Sequence, residues 1–133
     1  LEWLPCVERA QVEAVLDHEL NALATANKMK ILFDQGTPVP LRQFLTDHTV
    51  KTAYEESWSA LSNGDLLTEA ENAGYQLLVT TDHNLRYQQN LRERQIAIVV
   101  LLTTSWPRIR PKAQNILEVI NALSSGGYAE IPF

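Results

Sequence analysis

The chain has 133 residues, one domain's worth, enough to bury a core without disulfides or a structural metal. Apolar residues make up 45%, as in ordinary globular proteins, and the longest apolar run, Ile96 to Leu102, is strand-sized and too short to span a bilayer. The single Cys6 excludes an internal disulfide, and a net charge of −5 excludes nucleic-acid binding driven by overall charge.

Residues 7–24 read as an amphipathic helix. Val12, Val15, Leu16, Leu20 and Leu23 recur at helical spacing, with Glu13, Asp17, His18 and Asn21 opposite. Thr25 to Lys28 reads as a linker, and residues 1–28 hold five acids against two bases. Met29, the single methionine, directly precedes a strand, where a native start codon would sit. Residues 1–28 are therefore read as an extension and 29–133 as the main domain. With no basic-then-apolar leader at the start, the expected setting is the cytoplasm.

From Met29 onward strands and helices alternate. Lys30-Ile31-Leu32-Phe33 is a short apolar run ending at Asp34, the pattern of a buried parallel strand. Pro38 and Pro40 open a short helix through Phe44 and Leu45. Thr49 to Tyr54 predicts a weaker strand. After Ser62-Asn63-Gly64 comes a helix with Leu66, Leu67, Ala70 and Ala73 on one face and Gly74 as its stop. Gln76 to Thr80 predicts a second buried strand, ending near Asp82, and Gln95 to Leu102 a third. Pro107 and Pro111 bracket an expected loop. A last helix carries Ala113, Ile116, Leu117, Ile120 and Leu123, Gly126-Gly127 end it, and Tyr128 to Phe133 predicts an edge strand. The alternation implies an α/β fold, a mainly parallel sheet with helices on both faces.

Open parallel sheets gather their functional groups at the carboxyl ends of the strands. Asp34 and Asp82 stand at such ends, and Asp65 lies in the first turn of a helix. Convergent carboxylates repel unless a cation compensates, and hard oxygen ligands suit Mg²⁺ or Mn²⁺, with Asn84 as a neutral oxygen donor. Thr80 and Thr81 are placed to hydrogen-bond a carboxylate in support. The competing readings are local: Asp82 as a helix N-cap, Asp65 as a helix-dipole partner, Asp34 as a turn aspartate. Between residues 86 and 112 six bases stand against Glu93 alone, a locally basic segment in an acidic chain. His48 and His83 read as surface or capping residues. Trp3, Trp58 and Trp106 read as packing residues. Neither a zinc pattern, a phosphate-cradling glycine loop nor a nucleophile elbow is present.

Three stretches resemble the PIN-like family, close to the toxin ribonucleases of bacterial toxin–antitoxin pairs. They are Met29 to Pro38, Asn63 to Leu67 with Ala70 to Tyr75, and Leu78 to Leu91; the likeness runs from Met29 to about Leu123. The resemblance implies a three-layer α/β/α sandwich and metal-dependent cleavage of RNA phosphodiesters. It implies Asp34, Asp65 and Asp82 as catalytic metal ligands beside Asn84, and an antitoxin partner. On this reading Arg86, Arg92, Arg94, Arg108, Arg110 and Lys112 form an RNA track. A homodimer is a further expectation. Pro5 to Asp17 is similar to the tail of small antitoxin domains, which implies an antitoxin-derived helix packed on the catalytic domain; an ordinary N-terminal helix of the fold is the competing reading. The alternative is a PIN-like module that binds RNA or a protein without cutting. A phosphoacceptor receiver is a second rival, but one acid near the first strand and no lysine between Ile96 and Thr104 speak against it.

Overall fold

A computed structural model of the chain describes residues 28–85 and 91–133. The expected helix over 7–24 and its linker to residue 27 lie outside them. One sheet is built from β1 (Lys30–Phe33), β2 (Thr49–Thr52), β3 (Leu77–Thr80), β4 (Ala97–Leu101) and β5 (Tyr128–Ile131). Its order is β2-β1-β3-β4-β5, and every neighbouring pair is parallel. The three central strands are the uninterrupted apolar runs, and β3 and β4 are buried at every position. Edge strand β2, Thr-Val-Lys-Thr, instead alternates exposed and buried residues, as a strand covered on one face must.

Helices cover both faces. Leu66, Leu67 and Ala70 of α1 (Asn63–Asn72) pack on Leu32, Leu78, Ile98 and Val100. On the other face Ala113, Ile116 and Ile120 of α3 (Ala113–Ala122) pack on Phe33, Val79 and Val99. Leu41, from the 3-10 turn Val39–Phe44, and Leu45 just beyond it complete that layer. The molecule is thus an α/β sandwich of three layers, with one long helix on each face among the described residues.

Two expectations change. The segment between Pro107 and Pro111 is helical, not a loop: α2 (Trp106–Ile109) runs through the 3-10 turn Arg110–Lys112 into α3. Each proline sits at the start of its own short helix, where its missing N–H is no loss. His48 is neither a surface residue nor a cap. It is buried, its Nδ1 accepts from the Met29 backbone N–H at 2.9 Å, and Nε2 lies 2.9 Å from Asn121 Oδ1. An acceptor at Nδ1 places the ring proton on Nε2, which donates to Asn121. The imidazole thereby joins the start of β1 to the last turn of α3.

The predicted stop of α1 is built as the sequence suggests. Gly74 adopts φ +88°, the Tyr75 N–H donates to the Ala70 carbonyl, and the Gly74 N–H donates to that of Glu71. A Cβ at Gly74 would touch nothing within 4 Å, so only the backbone opposes one there. Gly74→Ala is expected to cost about 1 kcal/mol in urea unfolding, the left-handed penalty, with Gly74→Asn costing less.

Candidate active site

The chain leaves β1 toward β2 on one side of the sheet and leaves β3 toward β4 on the other. A crevice opens at the carboxyl ends wherever neighbouring strands diverge in this way. Asp34 and Asp82 are the acids at that point. The pairing of Phe33 with Val79 continues as an Asp34 N–H donating to the Val79 carbonyl at 2.9 Å, which sets Asp34 beside Thr80.

Thr80, 1% exposed, joins the two acids. Its hydroxyl donates to Asp34 Oδ2 at 2.8 Å and accepts from the Asp82 backbone N–H at 3.1 Å. Asp34 Oδ1 accepts from the Gln35 N–H at 2.7 Å. Asp82 Oδ1 accepts from the Asn84 N–H at 3.0 Å, and its Oδ2 accepts from Asn63 Nδ2 at 3.0 Å. Among the described residues each carboxylate oxygen therefore holds one hydrogen bond and keeps a lone pair. Among the described residues neither acid has a cationic partner. The turn after β1 closes tightly over the crevice: a Cβ at Gly36 would stand 2.5 Å from Thr81 Oγ1.

The other expected site residues fall elsewhere. Asp65 is exposed in the first turn of α1, where its N–H donates to the Ser62 hydroxyl at 3.4 Å. It makes no bond to Asp34 or Asp82, and among the described residues no three His, Cys, Asp or Glu side chains form a metal-holding group. The residue of α1 that reaches Asp82 is Asn63. Asn84 contributes its backbone N–H, which makes an Asx turn of Asp82. Support from a threonine falls to Thr80.

Of the basic track, Arg86 lies outside the described residues, and of Arg92 only the backbone in the turn Leu91–Glu93 is described. Arg94 is taken up by the fold. Its guanidinium donates to Glu71 Oε1 at 2.9 Å, Thr68 Oγ1 at 3.0 Å and the Gly64 carbonyl at 3.4 Å. Arg108, Arg110 and Lys112 are exposed; Lys112 reaches the Pro132 carbonyl at 3.4 Å, and the two arginines have no acidic partner among the described residues.

A hollow of about 520 Å³ lies at the opposite edge, lined by Met29, Gln76, Gln95, Asn121 and Ser125 among others. Three of its polar side chains already have partners: Gln76 accepts from the Lys30 N–H, Asn121 holds His48, and Ser125 donates to the Gln95 carbonyl. The candidate site is therefore the pair of acids at the carboxyl edge. Comparison of the chain with protein-family models, curated proteins and solved structures returned no significant match.

Two outcomes follow from these bonds. Thr80→Val leaves the Asp82 N–H without its acceptor and is expected to cost about 1–2 kcal/mol in chemical denaturation, with Thr80→Ser nearer wild type. Glu71 is half-buried, which opposes its ionisation, but Arg94 and the N–H groups of Gln95 and Ile96 outweigh that and hold the carboxyl below its ordinary value. A lowered folded value means stability that is present above the unfolded value and lost as the pH falls through the folded one. Glu71→Gln should therefore lower stability at neutral pH by about 1–2 kcal/mol, and its melting curve should converge on wild type in acid.

Proposed function

We propose that the protein is a divalent-metal-dependent ribonuclease of the PIN-like kind, cutting RNA phosphodiesters in the crevice between β1 and β3. One observation carries this reading. Two acids, Asp34 through its carboxylate and Asp82 through its backbone N–H, are bound to a single Thr80 hydroxyl at the point where the strand order reverses, with no cationic side chain paired to either among the described residues. Holding two negative charges on neighbouring strand ends is unfavourable without a counter-charge.

The donor set fits a hard cation. Mg²⁺ is commonly held by one or two carboxylates, its remaining positions filled by water and substrate phosphate, so two aspartates with free lone pairs suffice. When bound, Mg²⁺ or Mn²⁺ would supply an acidified water and positive charge for the phosphate being displaced. The chain's own part is orientation. Thr80 and the Gln35 N–H aim Asp34, Asn63 and the Asn84 N–H aim Asp82, and the buried strands beneath prevent either from swinging away. Arg108, Arg110 and Lys112, with Arg86 and Arg92 on the sequence pattern, are the groups for RNA phosphates. The same proposal includes a cytoplasmic setting, in keeping with the single Cys6, and an antitoxin partner, carried by the PIN-like resemblance alone. Among the described residues no helix is long and apolar enough to cross a membrane.

A second reading, a PIN-like module that binds without cutting, is favoured by the pair of acids standing where three were expected. Cleavage assays separate the two. Asp34→Asn and Asp82→Asn are each expected to lower Mg²⁺- or Mn²⁺-dependent cleavage of RNA by about 100-fold or more. Each should cost about 1 kcal/mol of stability, since the amide keeps the shape but loses an acceptor. Asp65→Asn is the control that decides whether the third acid belongs to the site. Undiminished cleavage in both the Asp34 and Asp82 variants, or cleavage indifferent to EDTA, would overturn the ribonuclease reading.

A further inference from the structure

Thr37, three positions beyond Asp34, is 4% exposed although it stands in the turn that leaves β1. Its N–H donates to the Asp34 carbonyl at 3.0 Å and closes that turn. Its hydroxyl crosses to β3 and donates to the Val79 carbonyl at 2.8 Å. The same carbonyl accepts the Asp34 N–H at 2.9 Å. From the other side the Thr80 hydroxyl donates to Asp34 Oδ2. Two buried hydroxyls, one from each strand exit, thus donate across the gap in opposite directions, and Gly36 between Asp34 and Thr37 lies against Thr81.

The Thr37 bond is not needed to satisfy a buried acceptor. Without it the Val79 carbonyl keeps the Asp34 N–H, and a valine at position 37 would orphan no polar group. What the hydroxyl adds is a second anchor for the turn. The main chain is held to β3 ahead of the turn by the Asp34 N–H and behind it by Thr37, and the carboxylate is held by Thr80. The need for such anchoring lies in the charges. Two carboxylates at neighbouring strand ends, with no cation paired to either among the described residues, push each other apart unless their backbones are fixed. Ligands serve an ion well only when their geometry is set beforehand, to within about 0.5 Å. We infer that Thr37 is a positioning residue for the metal site, which deepens the ribonuclease reading and rests on it. It acts on no ion directly; through the turn it holds Asp34 ready to share one divalent cation with Asp82.

The test titrates the full chain with Mn²⁺ and reads the free ion by electron paramagnetic resonance, so that binding is measured without cleavage. Wild type should take up Mn²⁺, and Asp34→Asn should lose most of that uptake. Thr37→Val should bind about 10-fold more weakly, and Thr37→Ser, which keeps the hydroxyl, should return close to wild type. Cleavage of RNA at limiting Mn²⁺ should follow the same order. The control is Thr52, 8% exposed at the end of β2, whose hydroxyl accepts from the Glu55 N–H and bonds neither Asp34 nor Asp82. Thr52→Val should lower the melting temperature at least as much as Thr37→Val yet leave Mn²⁺ uptake unchanged. Equal Mn²⁺ affinity in wild type and Thr37→Val overturns the inference. So does a Thr37→Ser chain that melts like wild type but binds like Thr37→Val, or an equal loss of uptake in Thr52→Val, which would make the effect a general loosening. If Thr37→Val fails to fold, Thr37→Ala set against Thr37→Ser gives the same comparison. A wild-type chain that takes up no Mn²⁺ defeats the ribonuclease reading and the role of Thr37 together, whereas uptake indifferent to Thr37 defeats that role alone.

Discussion

A hydroxyl group has one proton to give, and the arrangement at the carboxyl edge depends on where Thr80 spends it. The proton goes to Asp34, so the Thr80 oxygen is free to accept from the Asp82 backbone. One buried side chain thereby fixes two acids from different parts of the chain, and its direction cannot reverse, because a backbone N–H cannot accept. The parallel register of β1 and β3 makes this possible. Shifted by one residue, Thr80 would face a different neighbour and its side chain would exchange sheet faces.

That register is held from below. β1 and β3 are nearly all buried apolar side chains, packed on both faces by α1, α3 and the first crossover. Helix α1 serves both ends of the sheet. Its first turn supplies Asn63 to Asp82, while its last supplies Glu71 to Arg94 and to the N–H groups that lead into β4. The helix therefore relates the entry of β4 to the exit of β3, and the loop between them is tied to it at Arg94.

The central strands were legible because burial on both faces leaves an unbroken apolar run, and Asp34 and Asp82 were legible because each interrupts or follows such a run. The edge strand β5 and the Gly74 stop were legible for equally local reasons. The 107–111 segment was misjudged because proline breaks a helix in its interior but suits its first turn, and the sequence does not say which position it holds. Arg94 counted toward a basic track until the fold supplied Glu71, a partner 23 residues away. Asn63 carried no signal at all: an amide at a helix start is ordinary, and only the packing of α1 against β3 turns it toward an acid. Asp65 drew attention by its charge, while its uncharged neighbour two positions earlier makes the contact.

The glycine at position 36 imposes a filter on how this crevice can drift in sequence. Gln35 beside it points into solvent, where many side chains fit, but position 36 lies against Thr81 with no room for even a methyl group. Thr81 is β-branched and stiff at its first torsion, so it yields poorly. A substituent there must displace the Thr81 hydroxyl, in the segment that leads from β3 to Asp82. Variation in this turn is therefore lopsided: generous at one residue, opposed by the Thr81 side chain at the next.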